Sequence, residues 1–536
     1  MDSKIFEQIK KGIEKNNQDY KMYLELADAY LDENPYLTYL CLENALFLCP
    51  DEAERENIFT VIDELTKEGI YVRPASFVIL SYNTQEFTAT CIESIRKTVP
   101  ESAREIIVVD NASTDGSVEY LKKQTDIKLI LNQENVGFPK GCNQGIEASD
   151  PDTDIFLLNN DTVLLPNSFF WLRMGLYSSD EYGTAGSVTN HAGNNQTVSE
   201  LRGINVFEKE GFDRVYEVGM KTNVLMPNAL EKKIYLIGFA LLIKREVINE
   251  VGMLDEIFTP GNYEDNDYGI RVLETGYQNI LVHNSFILHF GSVSFGKKRE
   301  QFLDLLRNNR EKIKNKMGYD ITYFQNARDE LLSLMNASQD APLKVLELGC
   351  GLGATGARIK YLYPQAEVFG VDISETVVRI ANSFMTAYCA DVENFQWPFE
   401  DEYFDYVIMG DVLEHLRRPD KVLQVLNRLV KRDGHIILSM PNMLHYSVMI
   451  PLLVKGEFTY QDAGILDTTH LKMYTKYEIE KLIITSGFTP ERVMYTSTIE
   501  PNEAQQKVID ILVSLMEDPD SEAYISYQYV YVAKKN

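Results

Sequence analysis

Two sets of residues in this 536-residue chain have types and spacings that can do chemistry. The first runs from Ser81 to His289. Ser81-Tyr82-Asn83 closes one apolar run, and Asp110-Asn111-Ala112-Ser113-Thr114-Asp115-Gly116 closes another. An Asp at the carboxyl end of a strand, followed by a polar turn, suits ligand binding in an α/β crevice. The stretch from Asn135 to Gly145 contains Lys140 and Asn143, and its glycines permit close backbone approach to a ligand. Asn159-Asn160-Asp161 ends a further run, and Tyr263-Glu264-Asp265-Asn266-Asp267-Tyr268 precedes Arg271 and His289. Oxygen ligands of this kind hold a hard divalent cation. A carboxylate beside a hydroxyl can take its proton.

The second set begins with Glu347-Leu348-Gly349-Cys350-Gly351-Leu352-Gly353, a glycine-spaced loop after a strand and before a helix. Asp372 ends the next strand, placed to hold ribose hydroxyls. Asp391, then Trp397-Pro398-Phe399, then Asp411-Val412-Leu413-Glu414-His415-Leu416 follow, and later Asp467-Thr468-Thr469-His470. His415, His445 and His470 are candidate bases for a hydroxyl acceptor. No metal site is evident from spacing in this half.

The elements that must position these residues have three grammars. Residues 1–70 read as helix only, with apolar residues at Ile5, Ile9 and Ile13 and again at Tyr23, Leu26, Ala27 and Tyr30. Asn34-Pro35 and Cys49-Pro50 break this segment. It carries sixteen Asp/Glu against seven Lys/Arg. From residue 71 strands alternate with helices, with strands expected at 75–81, 105–109, 127–131, 154–158 and 235–243. A charged helical connector spans 298–340. A second α/β series follows over 341–536, with strands at 343–348, 366–371, 405–409, 434–439, 490–496 and 524–533. The expected class is multidomain α/β: a helical segment 1–70, a nucleotide-sugar domain 71–297, the connector 298–340 and a Rossmann-like domain 341–536.

In its order and content the first set resembles the family 2 inverting glycosyltransferases, which have the GT-A fold. The resemblance implies that Asp110 contacts the nucleotide and that Asn159-Asn160-Asp161 occupies the D-x-D position. Asp161, with Asn159 and His289, would hold a divalent metal, Mn2+ or Mg2+, on the donor diphosphate. Asp265 would be the catalytic base. Ser81, Asn83, Lys140, Asn143, Asn160 and Arg271 would contact the nucleotide sugar. Asn159 stands where an Asp is usual and brings no charge. Two alternatives stay open: Arg271 can pair with Asp267 on one helix face, and His283 competes with His289 as a ligand. The second set resembles class I S-adenosyl-L-methionine-dependent methyltransferases. By that resemblance Glu347, Gly349, Gly351 and Gly353 line the methionine and ribose end, Asp372 binds ribose, Asp391 faces the adenine, and Asp411 lies near the methyl donor. The His470 stretch resembles a substrate-side motif of glycan methyltransferases. Residues 17–53 resemble one tetratricopeptide repeat, which reads either as a cap on the next domain or as a docking or self-association module.

Net charge is −28, so the basic footprint that nucleic acid demands is missing. The six cysteines are scattered without zinc spacing, consistent with reduced thiols in a cytoplasm. No run of 18 apolar residues occurs, so no membrane span is expected. The two resemblances together imply a nucleoside diphosphate sugar donor, a glycan or glycoprotein acceptor, and both transfer and methylation. The alternative is a methyltransferase whose first α/β domain binds sugars without transferring them.

Overall fold

The computed structural model describes residues 3–291, 299–496, 500–517 and 520–536, so the expected domain boundary at 297/298 lies outside the described residues. The chain divides into two compact units, Met1–Thr322 and Tyr323–Asn536. The expected connector 298–340 is therefore shared between them.

The first unit opens with helices Ser3–Lys15, Tyr20–Tyr30, Pro35–Leu48 and Glu52–Lys67. Asp19, Asn34 and Asp51 cap the last three by accepting from backbone N–H groups, and Pro35 sits where its missing N–H costs nothing. Their apolar faces pack on helix Ser168–Leu176. Tyr23 meets Phe170 edge to face at 5.3 Å, and buried Arg173 pairs with Glu43. Asn44 donates to Asn167 Oδ1 at 3.3 Å across the same seam. The helices thus share a core with the α/β layer that follows.

That layer is a nine-stranded mixed sheet: β1 Ala75–Ser81, β2 Arg104–Asp110, β3 Ile127–Leu131, β4 Asp154–Asn159, β5 Thr162–Leu164, β6 Tyr182–Val188, β7 Leu230–Lys233, β8 Ala240–Ile243 and β9 Gln278–His289. The order is β3-β2-β1-β4-β8-β6-β9-β5, with β7 on β9. β1 to β4 are mutually parallel, and two buried clusters cover both sheet faces. Burial on both sides explains the near-continuous apolar runs of β1, β2 and β4, while β3 at the sheet edge is only partly buried. The strand expected over 235–243 is shorter; only Ala240–Ile243 pairs, because the chain turns at Gly238 towards the acidic helix Glu264–Glu274.

Helix Arg299–Met317 belongs to this unit. Fully buried Asn309 donates to the carbonyls of Phe258, Gly261 and Asn262, and Lys316 lies 2.5 Å from Asp267 Oδ1. It therefore clamps the loop that leads into Glu264 and Asp265.

The second unit is a seven-stranded sheet: β10 Lys344–Leu348, β11 Glu367–Asp372, β12 Thr386–Cys389, β13 Phe404–Gly410, β14 Val430–Pro441, β15 Phe488–Thr496 and β16 Gln528–Lys535. The order is β12-β11-β10-β13-β14-β16-β15, parallel until β14 and antiparallel for the last two. The last strand starts later than the expected 524, since Glu522–Ile525 is helical. Helix Glu503–Ser514 lies between β15 and β16. Among the described residues no helix is long and apolar enough to cross a membrane.

Candidate functional site

The parallel register of β1, β2 and β4 sets Ser81 opposite Asp110 and Leu80 opposite Asn159, so three expected site residues end at one sheet edge. Asp110 is fully buried; its Oδ1 accepts from Ser113 N at 2.8 Å, while Oδ2 has no hydrogen-bond partner. A buried, unsatisfied carboxylate oxygen at a strand end is a ready acceptor for a ligand hydroxyl or N–H. Asn83 accepts from Thr114 N at 2.7 Å and donates its own N–H to Ser113 Oγ, tying the loops after β1 and β2 together. Ser81 Oγ accepts from Thr88, inside the fold.

The β5–β9 ladder pairs Thr162 with His289, which brings Asp161 beside that histidine. His289 Nε2 stands 3.2 Å from Asp161 Oδ1. His289 Nδ1 meets the His191 carbonyl at 2.8 Å, and a carbonyl only accepts, so Nδ1 is the donor there and Nε2 is the nitrogen that faces Asp161. Two donor atoms so spaced can share one cation at ordinary bond lengths of about 2.1 Å. The donor set therefore fits a divalent metal. Phe239 stacks on the His289 ring at 5.1 Å and its carbonyl accepts from Asn159 N. The adjacent Gly238 N–H donates to Asp265 Oδ2 at 3.2 Å. The Gly238-Phe239 step thus joins the acidic helix to the Asp161–His289 pair.

Burial pushes the Asp265 carboxyl up, against hydrogen bonds from the Gly238 and Asn266 backbone. Neighbouring Glu264 is buried with Oε2 unpartnered, and burial followed by the Asp265 charge raises it to about 8.

Three expected donor contacts, Arg271, Asn160 and Asn143, bond within the fold. Arg271 bonds Asp267 through Nε and gives both remaining nitrogens to the carbonyls of Val251 and Met253. The Arg271–Asp267 pair is the one expected on one helix face, and each guanidinium nitrogen already makes one bond within the fold. The Asn160 amide donates to Thr84 and Thr88. Asn143 pins Leu254 through both its amide ends. His283 pairs with buried Glu231 at 2.8 Å, away from the His289 pair. Lys140 is exposed in the first turn of helix Phe138–Ala148.

In the second unit Gly349, Gly351 and Gly353 all have positive φ (67°, 50° and 87°). A Cβ at Gly353 would lie 3.0 Å from Ala381 Cα, so the loop needs glycine. Asp372 accepts from Gly351 N at 2.9 Å and from Ser374 N, bracing the loop from the next strand. Glu347 is buried with Oε2 unpartnered, and burial raises its carboxyl to about 8 while Thr355 and Arg328 pull it down. A cradle of glycines beside an unsatisfied acid and a strand-end Asp fits the methyl donor. Asp391 is exposed and accepts from Glu393 N and Asn394.

Asp411 bonds Arg328 Nη1 at 2.9 Å and Ser439 Oγ at 3.0 Å. Arg328, which also bonds Ser439, lies before the glycine loop and belongs to no motif, so nothing in the sequence marks it. Glu414 lies in the Asp411–Leu416 motif, and the structure buries it wholly, with both carboxylate oxygens unpartnered. His191 carries no motif either. His445 accepts from Ser447 N and caps helix Tyr446–Ile450, with burial lowering it to about 4, so it serves the backbone. His415 and His470 meet at 4.8 Å beside Glu414.

The glycosyl transferase family 2 profile matches residues 76–252, and a methyltransferase domain profile matches residues 346–438. The chain is similar to Haloferax volcanii glycosyltransferase AglE, 24% identical over 219 residues, 40% of this chain and 66% of that protein. It is similar to the malonyl-[acyl-carrier protein] O-methyltransferase of Bacillus cereus, 28% identical over 116 residues, 20% of this chain and 42% of that one. The Laribacter hongkongensis enzyme of the same name is 26% identical over 188 residues, 31% of this chain and 60% of that one. The chain thus spans less than two thirds of these two methyltransferases. Both α/β layers, with their glycine loops and strand-end acids, agree with the two profiles: residues 76–252 are a glycosyl transferase family 2 domain and residues 346–438 a methyltransferase domain, joined in one chain.

Proposed function

We propose that this chain is a bifunctional glycan-modifying enzyme of bacterial surface polysaccharide or protein glycosylation. Its first α/β domain transfers a sugar from a nucleoside diphosphate donor to an acceptor hydroxyl, inverting the anomeric centre. Its second methylates a hydroxyl of the glycan, with S-adenosyl-L-methionine as methyl donor. The observation that carries the transfer reading is the Gly238-Phe239 step, which links Asp265 to Asp161 and His289. It supports the reading of Asp265 as base and Asp161 and His289 as metal ligands of one site.

Asp110 receives the nucleotide on its unpartnered oxygen. Asp161 and His289 would hold a divalent cation, whose charge would neutralise the departing diphosphate. Asp265 accepts the proton of the attacking hydroxyl, and a carboxyl raised by burial is a stronger base for that step. One base suffices for a single displacement. In the second domain Glu347, the glycine loop and Asp372 bind and orient the methyl donor, and in-line positioning supplies most of the acceleration.

The test is a thermal-shift panel with S-adenosylhomocysteine and with UDP, dTDP and GDP, each with and without Mn2+. Ligands that bind only the folded state raise its melting temperature. The reading expects a shift with S-adenosylhomocysteine and a Mn2+-dependent shift with one nucleotide. Asp265→Asn should then lower glycosyl-transfer kcat by about 10²- to 10⁴-fold with nucleotide binding retained. Unchanged transfer in that variant removes the base assignment.

A further inference from the structure

Glu414 poses a physical problem that the methyl-donor site does not solve. It lies in the 3-10 turn Leu413–His415 directly after β13, is 0% exposed, and neither carboxylate oxygen accepts a hydrogen bond. A carboxyl so placed needs a partner. Its own backbone carbonyl accepts from Leu471 N and Lys472 N, which draws the His470 segment over it. His470 Nε2 then stands 3.9 Å from Glu414 Oε1, too far for a hydrogen bond.

Each histidine is oriented by a backbone carbonyl on its Nδ1, which leaves Nε2 as the nitrogen open to a ligand. His470 Nδ1 meets the Ile465 carbonyl at 2.9 Å, so Nδ1 is the donor there and Nε2 is turned towards Glu414. His415 Nδ1 meets the Thr469 carbonyl at 3.2 Å. Thr469 Oγ1, also 3.2 Å from that nitrogen, donates its own proton to Asp467 and so can only accept there. His415 Nδ1 is therefore protonated too. One donor atom from each of Glu414, His415 and His470 lies within 4.8 Å of the others. Two imidazoles, each oriented by a backbone carbonyl on its outer nitrogen, facing one unpartnered carboxylate, form a metal-binding arrangement.

We propose that Glu414, His415 and His470 bind a divalent first-row transition-metal ion, which seats the acceptor hydroxyl for methylation. This rests on the methyltransferase reading. Imidazole donors favour Mn2+ through Zn2+ over Mg2+ or Ca2+. Three protein ligands leave positions for an acceptor oxygen. The cluster lies three residues beyond Asp411, at the carboxyl edge of the parallel strands that also carries the glycine loop. His415 and His470 are then ligands that position the acceptor, in place of proton-accepting bases.

The experiment uses the full chain carrying Asp161→Asn and His289→Ala, so that the transferase pair holds no ion. After chelator treatment it is dialysed against Zn2+, Mn2+ or Co2+, and metal content and S-adenosylhomocysteine binding are both measured. The proposal expects about one ion per chain and visible Co2+ absorption bands of imidazole ligation. Adding Glu414→Gln or His470→Gln should weaken ion binding by roughly 100-fold, with S-adenosylhomocysteine bound as before. Absence of stoichiometric ion and of the Co2+ bands, or an ion retained by both variants, overturns it. Loss of S-adenosylhomocysteine binding by the parent protein would instead remove the methyltransferase reading, a separate result.

Discussion

Replacing Glu347 by Gln removes the one titratable group at the base of the glycine loop that burial has raised to about 8. In the unfolded chain that carboxyl ionises near 4.5. The folded-state value is the higher one, so its contribution to stability is fully present below pH 4.5 and is lost as pH rises towards 8. At 1.36 kcal/mol per unit, the loss in the ligand-free protein reaches roughly 5 kcal/mol at most. The methyl donor and its product carry an ammonium group at the methionine end, and the ionised carboxylate is the form that attracts it. Binding must then release a proton wherever Glu347 starts neutral. With a value of 8, affinity for S-adenosylhomocysteine should rise about 90-fold from pH 6 to pH 9, roughly 2.7 kcal/mol. Isothermal titration in two buffers of different ionisation enthalpy counts the protons released, and near pH 6.5 the count should approach one. Glu347→Gln should bind with a flat profile and no proton release. A wild-type affinity independent of pH over this range, or a profile unchanged in Glu347→Gln, refutes the reasoning.

Asp161→Asn, which leaves His289 without its anionic neighbour at 3.2 Å, should raise the Mn2+ concentration for half-maximal glycosyl transfer by 10-fold or more and leave S-adenosylhomocysteine binding alone. Arg173→Ala breaks the buried pair with Glu43 and the bond to the Arg73 carbonyl at 3.0 Å; it should cost about 3–5 kcal/mol, read by denaturant unfolding of the first unit. A cost below about 1 kcal/mol would show that the N-terminal helices are not anchored through this seam. Gly353→Ala forces a side chain into φ +87° against Ala381, and S-adenosylhomocysteine affinity should fall at least about tenfold while circular dichroism stays near wild type.

Much of both candidate sites was legible because its cause is local. Asp110 and Asp372 end parallel strands, and a strand's end is where an α/β sheet presents ligands with side chains. Gly349, Gly351 and Gly353 announce backbone angles that other residues resist. The residues that the fold gives partners unseen in the sequence are those whose partners lie far along the chain. Arg271 looks like a diphosphate contact until Val251 and Met253 are folded against it. Asn160 sits in a metal motif, yet its amide serves Thr84 and Thr88.

The sequence by itself determined the two α/β series, the order of their motifs and the glycine turns, because periodicity and backbone sterics act over a few residues. It determined that residues 1–70 are helical, but not what those helices cover; Ser168–Leu176 supplies that answer. Only the tertiary structure brought His289 to Asp161, through a three-residue ladder between β5 and β9, and joined both to Asp265 through Gly238 and Phe239. Only the tertiary structure left Glu414 buried without a partner between two oriented histidines. Strand register and long-range closure decide such meetings, and neither is written in local spacing.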